Sequence, residues 1–125
     1  MTTVLVCEDN EDIVLLLTHV FRRAGIEMRS AGSVEKAWAA LSTEDAPDAL
    51  VMDVVLPDDD GWELLKRIRA SKPLRALPVI VLTGDVRPEI RARAEELSAI
   101  FMGKPFSTDD LVETVQRAGR SASTG

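Results

Sequence analysis

Short apolar runs alternate with longer segments of helical period along the chain. A short apolar run is typical of a buried strand, and apolar residues spaced by three and four are typical of a helix packed on one side. Their alternation favours βαβ units and a parallel sheet. The predicted strands lie at about 3–7, 27–31, 48–52, 79–82 and 99–102. The predicted helices lie at about 11–24, after Ser33, after the 57–61 loop, at about 88–97, and after Ser107 or Thr108.

Right-handed crossovers arrange five such strands and helices as a doubly wound sheet with helices on both faces. The strand at 27–31 alternates less clearly, so we expect it at an edge. We expect one domain over 1–118 and a short flexible tail over 119–125, which offers no core residue beyond alanine. The first helix has an apolar side, predicted to face inward, that consists of Ile13, Leu16, Leu17, Val20, Phe21 and Ala24.

Composition narrows the class of protein. The chain has 125 residues, 46% of them hydrophobic, with a formal net charge of -6. The acidic balance argues against direct nucleic-acid binding, because phosphate backbones require neutralising Lys and Arg. No apolar stretch approaches the ~18–20 residues that span a bilayer, and the N-terminus lacks the basic segment of a secretory signal. We therefore expect a cytoplasmic protein without membrane contact. Cys7 is the single cysteine, which excludes an intramolecular disulfide.

Four of the apolar runs are followed by polar residues with chemical capability. Glu8 and Asp9 follow the first run, Asp53 the third, Thr83 the fourth and Lys104 the fifth. The carboxyl ends of parallel strands meet at one edge of the sheet and form the ligand crevice. The sequence therefore predicts three carboxylates, one hydroxyl and one ammonium in one crevice.

This set of groups is suited to a divalent cation and a phosphoryl group. Clustered carboxylates are costly unless a cation neutralises them, and oxygen ligands suit Mg²⁺ or Mn²⁺ rather than zinc. A carboxylate can also attack phosphorus to give an aspartyl phosphate. That reaction depends on positioning and charge neutralisation, which Lys104 and Thr83 are of the right type to provide.

Each residue alone has a simpler interpretation. Aspartates such as Asp9 and those at 58–60 commonly cap helices or accept turn amides, and a threonine after a strand commonly bonds to local backbone. The joint occurrence at separate strand ends favours the common site. His19 is expected to be a solvated surface residue, and Trp38 and Trp62 are expected to pack. Four basic residues near the end of the third helix are expected to be solvated there: Arg67, Arg69, Lys72 and Arg75.

Taken together, the motifs resemble the receiver domain of two-component response regulators. They are Glu8-Asp9, Asp53 with Pro57 and Gly61, Thr83-Gly84, and Lys104-Pro105-Phe106. The resemblance covers about residues 4–117. It implies an α/β flavodoxin-like fold, a three-layer (βα)5 sandwich whose parallel five-stranded sheet has the order 2-1-3-4-5.

The resemblance also implies roles for individual residues. Asp53 is the expected phosphoacceptor, and Asp9 and Asp53 are expected to ligate Mg²⁺ directly together with the backbone carbonyl of Val55. Glu8 is expected to act largely through a bound water. Lys104 is expected to pair with Asp53 at rest and with the phosphoryl group when loaded. The remaining two implied residues are the switch pair, Thr83 and Phe101.

The implied phosphoryl donor is a sensor histidine kinase or a histidine phosphotransfer protein. The fourth helix, fifth strand and fifth helix, roughly 87–117, form the implied readout face for a downstream protein. Too little chain follows Arg117 for an output domain, so we expect an effect through protein contacts or onward phosphoryl transfer. Alternatively, the sequence is a domain of a longer protein.

Two other function classes compete with this interpretation. An aspartate-nucleophile phosphohydrolase uses similar groups but requires a second acid two residues after the nucleophile, where this chain has Val55. A receiver-like binding module that is never phosphorylated is the other alternative, and retention of the acids with Thr83 and Lys104 argues against it. A nucleotide-binding protein is disfavoured because no glycine-rich phosphate loop follows the first strand.

Overall fold

The computed structural model describes residues 2–43, 45–54 and 60–124. Strands and helices alternate throughout, as the hydrophobic pattern predicts. The strands are β1 (Thr3–Cys7), β2 (Glu27–Ala31), β3 (Ala49–Met52), β4 (Val79–Thr83) and β5 (Ile100–Gly103). The helices are α1 (Glu11–Arg23), α2 (Val34–Leu41), α3 (Gly61–Ala70), α4 (Pro88–Glu96) and α5 (Thr108–Thr124).

The described strands form one parallel sheet with the order β2-β1-β3-β4-β5. This is the order that the resemblance implies, and β2 lies at an edge as its weak alternation predicts. The central strands β3 and β4 are buried along their whole length. Their nearly continuous apolar sequences suit strands covered on both faces by helices.

Two apolar cores flank the sheet because alternate strand residues point to opposite faces. On one face, Val6, Val51 and Ile80 pack with residues of α1 and α5 such as Phe21 and Leu111. The other core contains the alternate strand residues, for example Leu5, Leu50 and Val81, together with residues of α2, α3 and α4. The result is the predicted three-layer sandwich.

Polar caps start three helices immediately after the sheet. The Asn10 side chain accepts hydrogen bonds from the backbone of Asp12 and Ile13 at the start of α1. Ser33 caps α2, as predicted, by accepting a bond from the Lys36 backbone. A serine or asparagine here satisfies N–H groups that have no partner within the helix. Ser107 Oγ accepts from the backbone of residue 110 at the start of α5, which decides between the two predicted caps.

One predicted orientation and one predicted boundary need correction. Leu16 was predicted to face the core, but it is 49% exposed. Fewer residues of α1 are buried against the sheet than its apolar side suggests. Among the described residues of that helix, only Leu17 and Phe21 are fully buried. Thr83 belongs to the end of β4 rather than following it.

The last helix runs further than the sequence suggests. The helical backbone of α5 continues to Thr124, through most of the segment predicted as a flexible tail. Gly119 contributes to this, since a β-carbon there would lie 3.1 Å from Cγ2 of Thr2 and 3.5 Å from Cβ of Asp48. The absence of a side chain therefore lets α5 continue closely past the N-terminal end of the sheet. The flexibility of 119–125 stays a prediction.

Arg69 was predicted to be a solvated residue at the end of α3, and this prediction was wrong. Its Nε donates to the carbonyl of Leu97 at 2.7 Å, and Nη2 donates to that of Ser98 at 3.1 Å. Nη1 donates to the carbonyls of Arg75 and Leu77. Burial lowers the pKa of the guanidinium. Arg69 therefore joins the segment after α3 to the corner between α4 and β5, where Ser98 has a positive φ of 57°.

We predict that Arg69→Ala destabilises the domain by about 1.5–3 kcal/mol, because hydrogen bonds from a charged donor contribute on this order and the four carbonyls lose their partner. Arg67→Ala is the matched control on the same helix. Its guanidinium stacks on Trp38 and is 42% exposed, so its removal should cost about 1 kcal/mol or less. Urea unfolding of both variants measures the difference. Equal losses would contradict the structural role of Arg69.

Candidate functional site

The carboxyl edge of the sheet brings distant residues side by side. Cys7 pairs with Met52 across β1 and β3, so the following residues, Glu8 and Asp53, leave neighbouring strand ends together. Thr83 pairs with Gly103, and the backbone N–H of Lys104 donates to the Thr83 carbonyl at 2.8 Å. Parallel pairing in register thus places four chemically capable residues along one edge.

Lys104 lies between two carboxylates. Its Nζ donates to Oδ2 of Asp53 at 3.0 Å and lies 3.7 Å from Oε2 of Glu8. The side chains are largely enclosed, with exposures of 23% for Lys104, 13% for Asp53 and 8% for Glu8. The ammonium is therefore the counter-charge that both acids share. The Lys104–Pro105 peptide bond, which follows directly, is cis.

The negative charge at this edge perturbs Glu8. Burial raises the pKa of its carboxyl, and a hydrogen bond with Asp9 and the charge of Asp53 act in the same direction. The backbone N–H of Asn10, which donates to Glu8 Oε1 at 3.1 Å, and the charge of Lys104 lower the pKa in opposition. The net shift is upward. Burial therefore outweighs the stabilisation that Asn10 and Lys104 give to the charged form of Glu8.

The predicted metal ligands are only partly gathered. Glu8 lies against Asp9 and Asp53, whereas Asp9 itself is exposed. Val55, whose backbone carbonyl was the fourth predicted ligand, lies outside the described residues. Within 2–43, 45–54 and 60–124, no three His, Cys, Asp or Glu residues form a ready metal cluster. Oxygen donors and uncompensated negative charge nevertheless fit Mg²⁺ or Mn²⁺.

Thr83 is buried at the end of β4 with its hydroxyl in a defined hydrogen bond. Its Oγ1 accepts a bond of 3.2 Å from the backbone N–H of Asp85, and its exposed fraction is 1%. A hydroxyl that accepts one bond still has its own proton to donate. A β-carbon on the adjacent Gly84 would have nothing within 4 Å. Thr83 is thus a buried hydroxyl donor, and the residue that follows it has room for a side chain.

The loop after β4 contains a pair that was not identified from the sequence. Asp85 accepts bonds from Nε and Nη2 of Arg87 at 2.8 and 2.7 Å, and from the Arg87 backbone at 3.3 Å. This arrangement lowers the pKa of Asp85 below its usual value. The sequence signal for this pair was an aspartate two residues before the arginine that precedes a helix. The pair lies within the loop that leads from Thr83 into α4, and its arginine is 64% exposed.

Gly61 lets α3 approach the backbone at Asp53. A β-carbon there would lie 2.6 Å from Cα of Val54, 2.9 Å from the carbonyl oxygen of Asp53 and 3.0 Å from Cε of Met52. Asp60 caps the same helix by accepting a bond from the backbone N–H of Trp62 at 2.9 Å. The helix start therefore supports the segment that carries the carboxylate.

We predict that Gly61→Ala destabilises the domain by about 1–3 kcal/mol, the usual range for forced overpacking. The sign of the change in unfolding free energy is informative, because replacing glycine with alanine in a helix without steric conflict is stabilising by up to ~1 kcal/mol. Gly32→Ala is the control, since a β-carbon there meets nothing within 4 Å. Chemical denaturation measures both changes. If the Gly61→Ala protein were as stable as the parent, the start of α3 would not lie in close contact with the backbone at Asp53.

Phe101, the implied aromatic switch residue, lies half-buried on β5 and packs against the core that α4 covers. His19 is exposed on α1, as expected, and Trp62 is buried while Trp38 packs half-buried against the same core. The expected packing of both tryptophans is confirmed.

Comparison with known proteins establishes the family. Residues 4–116 match the response regulator receiver domain. The chain is 35% identical over 121 residues to the transcriptional regulatory protein GltR of Pseudomonas aeruginosa, covering 96% of this chain and 50% of that protein. It is 37% identical over 109 residues to the alkaline phosphatase synthesis transcriptional regulatory protein PhoP of Bacillus subtilis, covering 86% of this chain and 44% of that protein. This chain therefore belongs to the response regulator receiver family, and it spans half or less of these curated relatives.

Solved structures agree with the assignment. A putative response regulator from Chloroflexus aurantiacus has a TM-score of 0.87 at 33% identity, covering 95% of this chain and 98% of that one. The chemotaxis protein CheY4 of Vibrio cholerae has a TM-score of 0.85 at 28% identity, with coverages of 94% and 98%. The predicted flavodoxin-like fold is confirmed. The helices described here include none with the length and apolar character needed to cross a membrane.

Proposed function

We propose that this domain accepts a phosphoryl group on Asp53 from the phosphohistidine of a sensor histidine kinase or histidine phosphotransfer protein. The observation that carries the proposal is the 3.0 Å contact between Lys104 Nζ and Asp53 Oδ2 at the carboxyl edge of the sheet. A largely enclosed carboxylate paired with an ammonium is prepared for an incoming group whose negative charge needs neutralising. The cytoplasmic location expected from the sequence belongs to the same proposal.

In the proposed reaction, an Asp53 oxygen attacks phosphorus and forms an O–P bond. The N–P bond to the donor imidazole breaks, and the electron pair leaves with that nitrogen. Lys104 exchanges its contact with the carboxylate for one with a phosphoryl oxygen, and the Thr83 hydroxyl donates its free proton to another. Bound Mg²⁺ (or Mn²⁺), held by Glu8, Asp9 and Asp53 with the Val55 carbonyl, would neutralise the remaining phosphoryl charge.

The phosphohydrolase alternative is less well supported by the sequence at the nucleophile. A hydrolase of that kind needs a carboxyl two residues beyond Asp53 for acid–base catalysis, and Val55 cannot transfer a proton. Membership of the receiver family favours a signalling module instead. Slow self-phosphorylation from small phosphodonors and slow loss of the phosphoryl group are compatible with this proposal.

For the signal output, we propose the surface formed by α4, β5 and α5 as the contact for a downstream protein. Ile100 at the start of β5 is 42% exposed, and it lines a shallow depression with Thr114, Arg117 and Ala118 of α5. An exposed apolar residue with polar neighbours is a reasonable contact point for a protein partner. Phosphorylation adds about two negative charges at the carboxyl edge of the sheet, which can bias a packed element with two arrangements.

We predict one phosphoryl adduct, dependent on Mg²⁺, after incubation with acetyl phosphate, and its loss in Asp53→Ala. Intact-protein mass spectrometry measures the adduct. Asp109→Ala is the control, because it removes an exposed carboxylate on α5. An adduct that persists in Asp53→Ala would exclude Asp53 as the acceptor. If neither acetyl phosphate nor beryllofluoride modifies the parent, the binding-module alternative takes the place of this proposal.

We also predict that Lys104→Ala binds Mg²⁺ more tightly than the parent, by roughly 2–5-fold, while its phosphorylation is slower. The ammonium now shared by Glu8 and Asp53 competes with a metal for the same carboxylates, and an ion pair of this kind contributes about 0.5–1 kcal/mol. Isothermal titration with Mg²⁺ measures the constant, and Lys66→Ala, which removes an exposed lysine of α3, is the control. Weaker metal binding in Lys104→Ala would contradict the proposed competition.

A further inference from the structure

α4 has little apolar surface in contact with the rest of the domain. All residues of this helix are described, and Ala94 alone among them is buried. Ile90 and Leu97, which flank it in position, pack only half-buried against the core. α3, on the same face of the sheet, has five buried residues. Apolar burial therefore holds α4 much less firmly than its neighbour.

Arginine side chains supply much of the remaining contact. The guanidinium carbon of Arg91 lies 4.9 Å from the centroid of the Phe101 ring on β5. That of Arg93 lies 4.6 Å from the Trp62 ring on α3. A guanidinium over an aromatic face is attracted to it by the ring quadrupole. Such a contact is easily reversed at the surface, because both partners can be rehydrated when they separate.

The ring that Arg91 covers is also close to the loop that follows Thr83. A β-carbon on Gly103 would lie 2.8 Å from Cγ1 of Val86 and 3.7 Å from Cε1 of Phe101. Val86 and the Phe101 ring therefore share the space above a glycine of the edge strand. Val86 is 58% exposed and lies three residues beyond Thr83 in the chain.

Movement of Thr83 has a direct steric route to Phe101. If the Thr83 hydroxyl is drawn to a phosphoryl oxygen, the backbone that carries Val86 is displaced with it. The space above Gly103 then changes, and so does the room available to the aromatic ring. Arg91 is attached to the helix that this same loop enters, and it holds the ring from the solvent side.

We propose that Arg91 restrains the Phe101 ring in the arrangement of the unloaded domain, and that loading of Asp53 releases this stack. The inference rests on the proposed function, and it adds a residue of α4 that sets how readily the site is loaded. If the stack exists only in the unloaded arrangement, it opposes loading. Removing the stack must then favour the loaded arrangement, since a contact shifts an equilibrium only by the difference in its free energy between the two states.

The test uses beryllofluoride with Mg²⁺ as the probe, because it stands in for the phosphoryl group on a carboxylate. Fluorine NMR titrations of the parent, Arg91→Ala and Arg91→Lys give the affinities directly. We expect Arg91→Ala to bind about two- to fivefold more tightly, the factor that corresponds to an exposed guanidinium–ring contact. Arg91→Lys retains a cation and should lie between Arg91→Ala and the parent.

Arg93→Ala is the matched control on the same helix. It removes a stack of similar length, but its partner Trp62 lies on α3, whereas the atoms nearest to a β-carbon on Gly103 belong to Val86 and Phe101. Its beryllofluoride affinity should equal that of the parent. A merely structural role of Arg91 would lower the stability of the domain without tightening the binding of the probe.

The possible outcomes separate the two proposals. Binding by Arg91→Ala that is unchanged or weaker, or a gain that Arg93→Ala shows equally, overturns the restraint while leaving Asp53 as the acceptor. Failure of the parent to bind beryllofluoride overturns the proposed function and the restraint together. A gain in Arg91→Ala alone, partly reversed in Arg91→Lys, supports the restraint.

Discussion

The position of one ammonium between two enclosed carboxylates is the interaction on which the carboxyl edge of the sheet depends. Asp53 and Glu8 are only 13% and 8% exposed, and two carboxylates removed from water at close range repel each other. Lys104 offsets this repulsion through contacts of 3.0 and 3.7 Å. Burial raises the pKa of Glu8 even though the charge of Lys104 lowers it.

The fold maintains this arrangement through backbone contacts rather than through the charged groups themselves. Strand pairing fixes the ends of β1, β3, β4 and β5 side by side. Gly61 brings the start of α3 against the Asp53 carbonyl, and the backbone of Lys104 is bonded to that of Thr83. Apolar strands with helices on both faces supply the free energy of folding. The stability of the core does not depend on the charged residues of the site. The fold can therefore tolerate the charge that is concentrated there.

Much of this arrangement could be predicted from the sequence, because it is determined by the hydrophobic period of each segment and by the position of each polar residue relative to the strands. β1 and β2 have the predicted bounds, and β2 is at an edge. Asp53 and Lys104 were expected to lie close together because each directly follows a strand of the same parallel sheet. Arg69 could not be interpreted in this way, since its four carbonyl partners lie up to 29 residues away. A basic residue at a helix end looks the same in sequence whether it is solvated or binds the backbone of a distant corner.

Leu16 and Phe101 show a second limit of sequence patterns. Periodicity identifies a side of a helix, but how much of that side is covered depends on the neighbouring helix, and here Leu16 remains half exposed. Likewise, the apolar run of β5 indicates burial for Phe101, whereas the ring is half-buried beneath Arg91. Contacts between a side chain and a distant charged group leave no periodic signal, because either partner alone is an ordinary surface or core residue.

The domain thus combines a rigid base with a weakly held helix. Asp53 directly follows β3, the central strand of the sheet between β1 and β4, where displacement would disrupt both cores. α4 is held by one buried alanine, by the half-buried Ile90 and Leu97, and by guanidinium–ring contacts to Phe101 of β5 and Trp62 of α3. A change of charge at the centre cannot move the central strands at low cost, so any structural response is expected where contacts are polar and reversible. Because the loop from Thr83 enters α4 directly, the carboxyl edge that carries Asp53 and the helix with the least apolar burial are joined by only a few residues of chain.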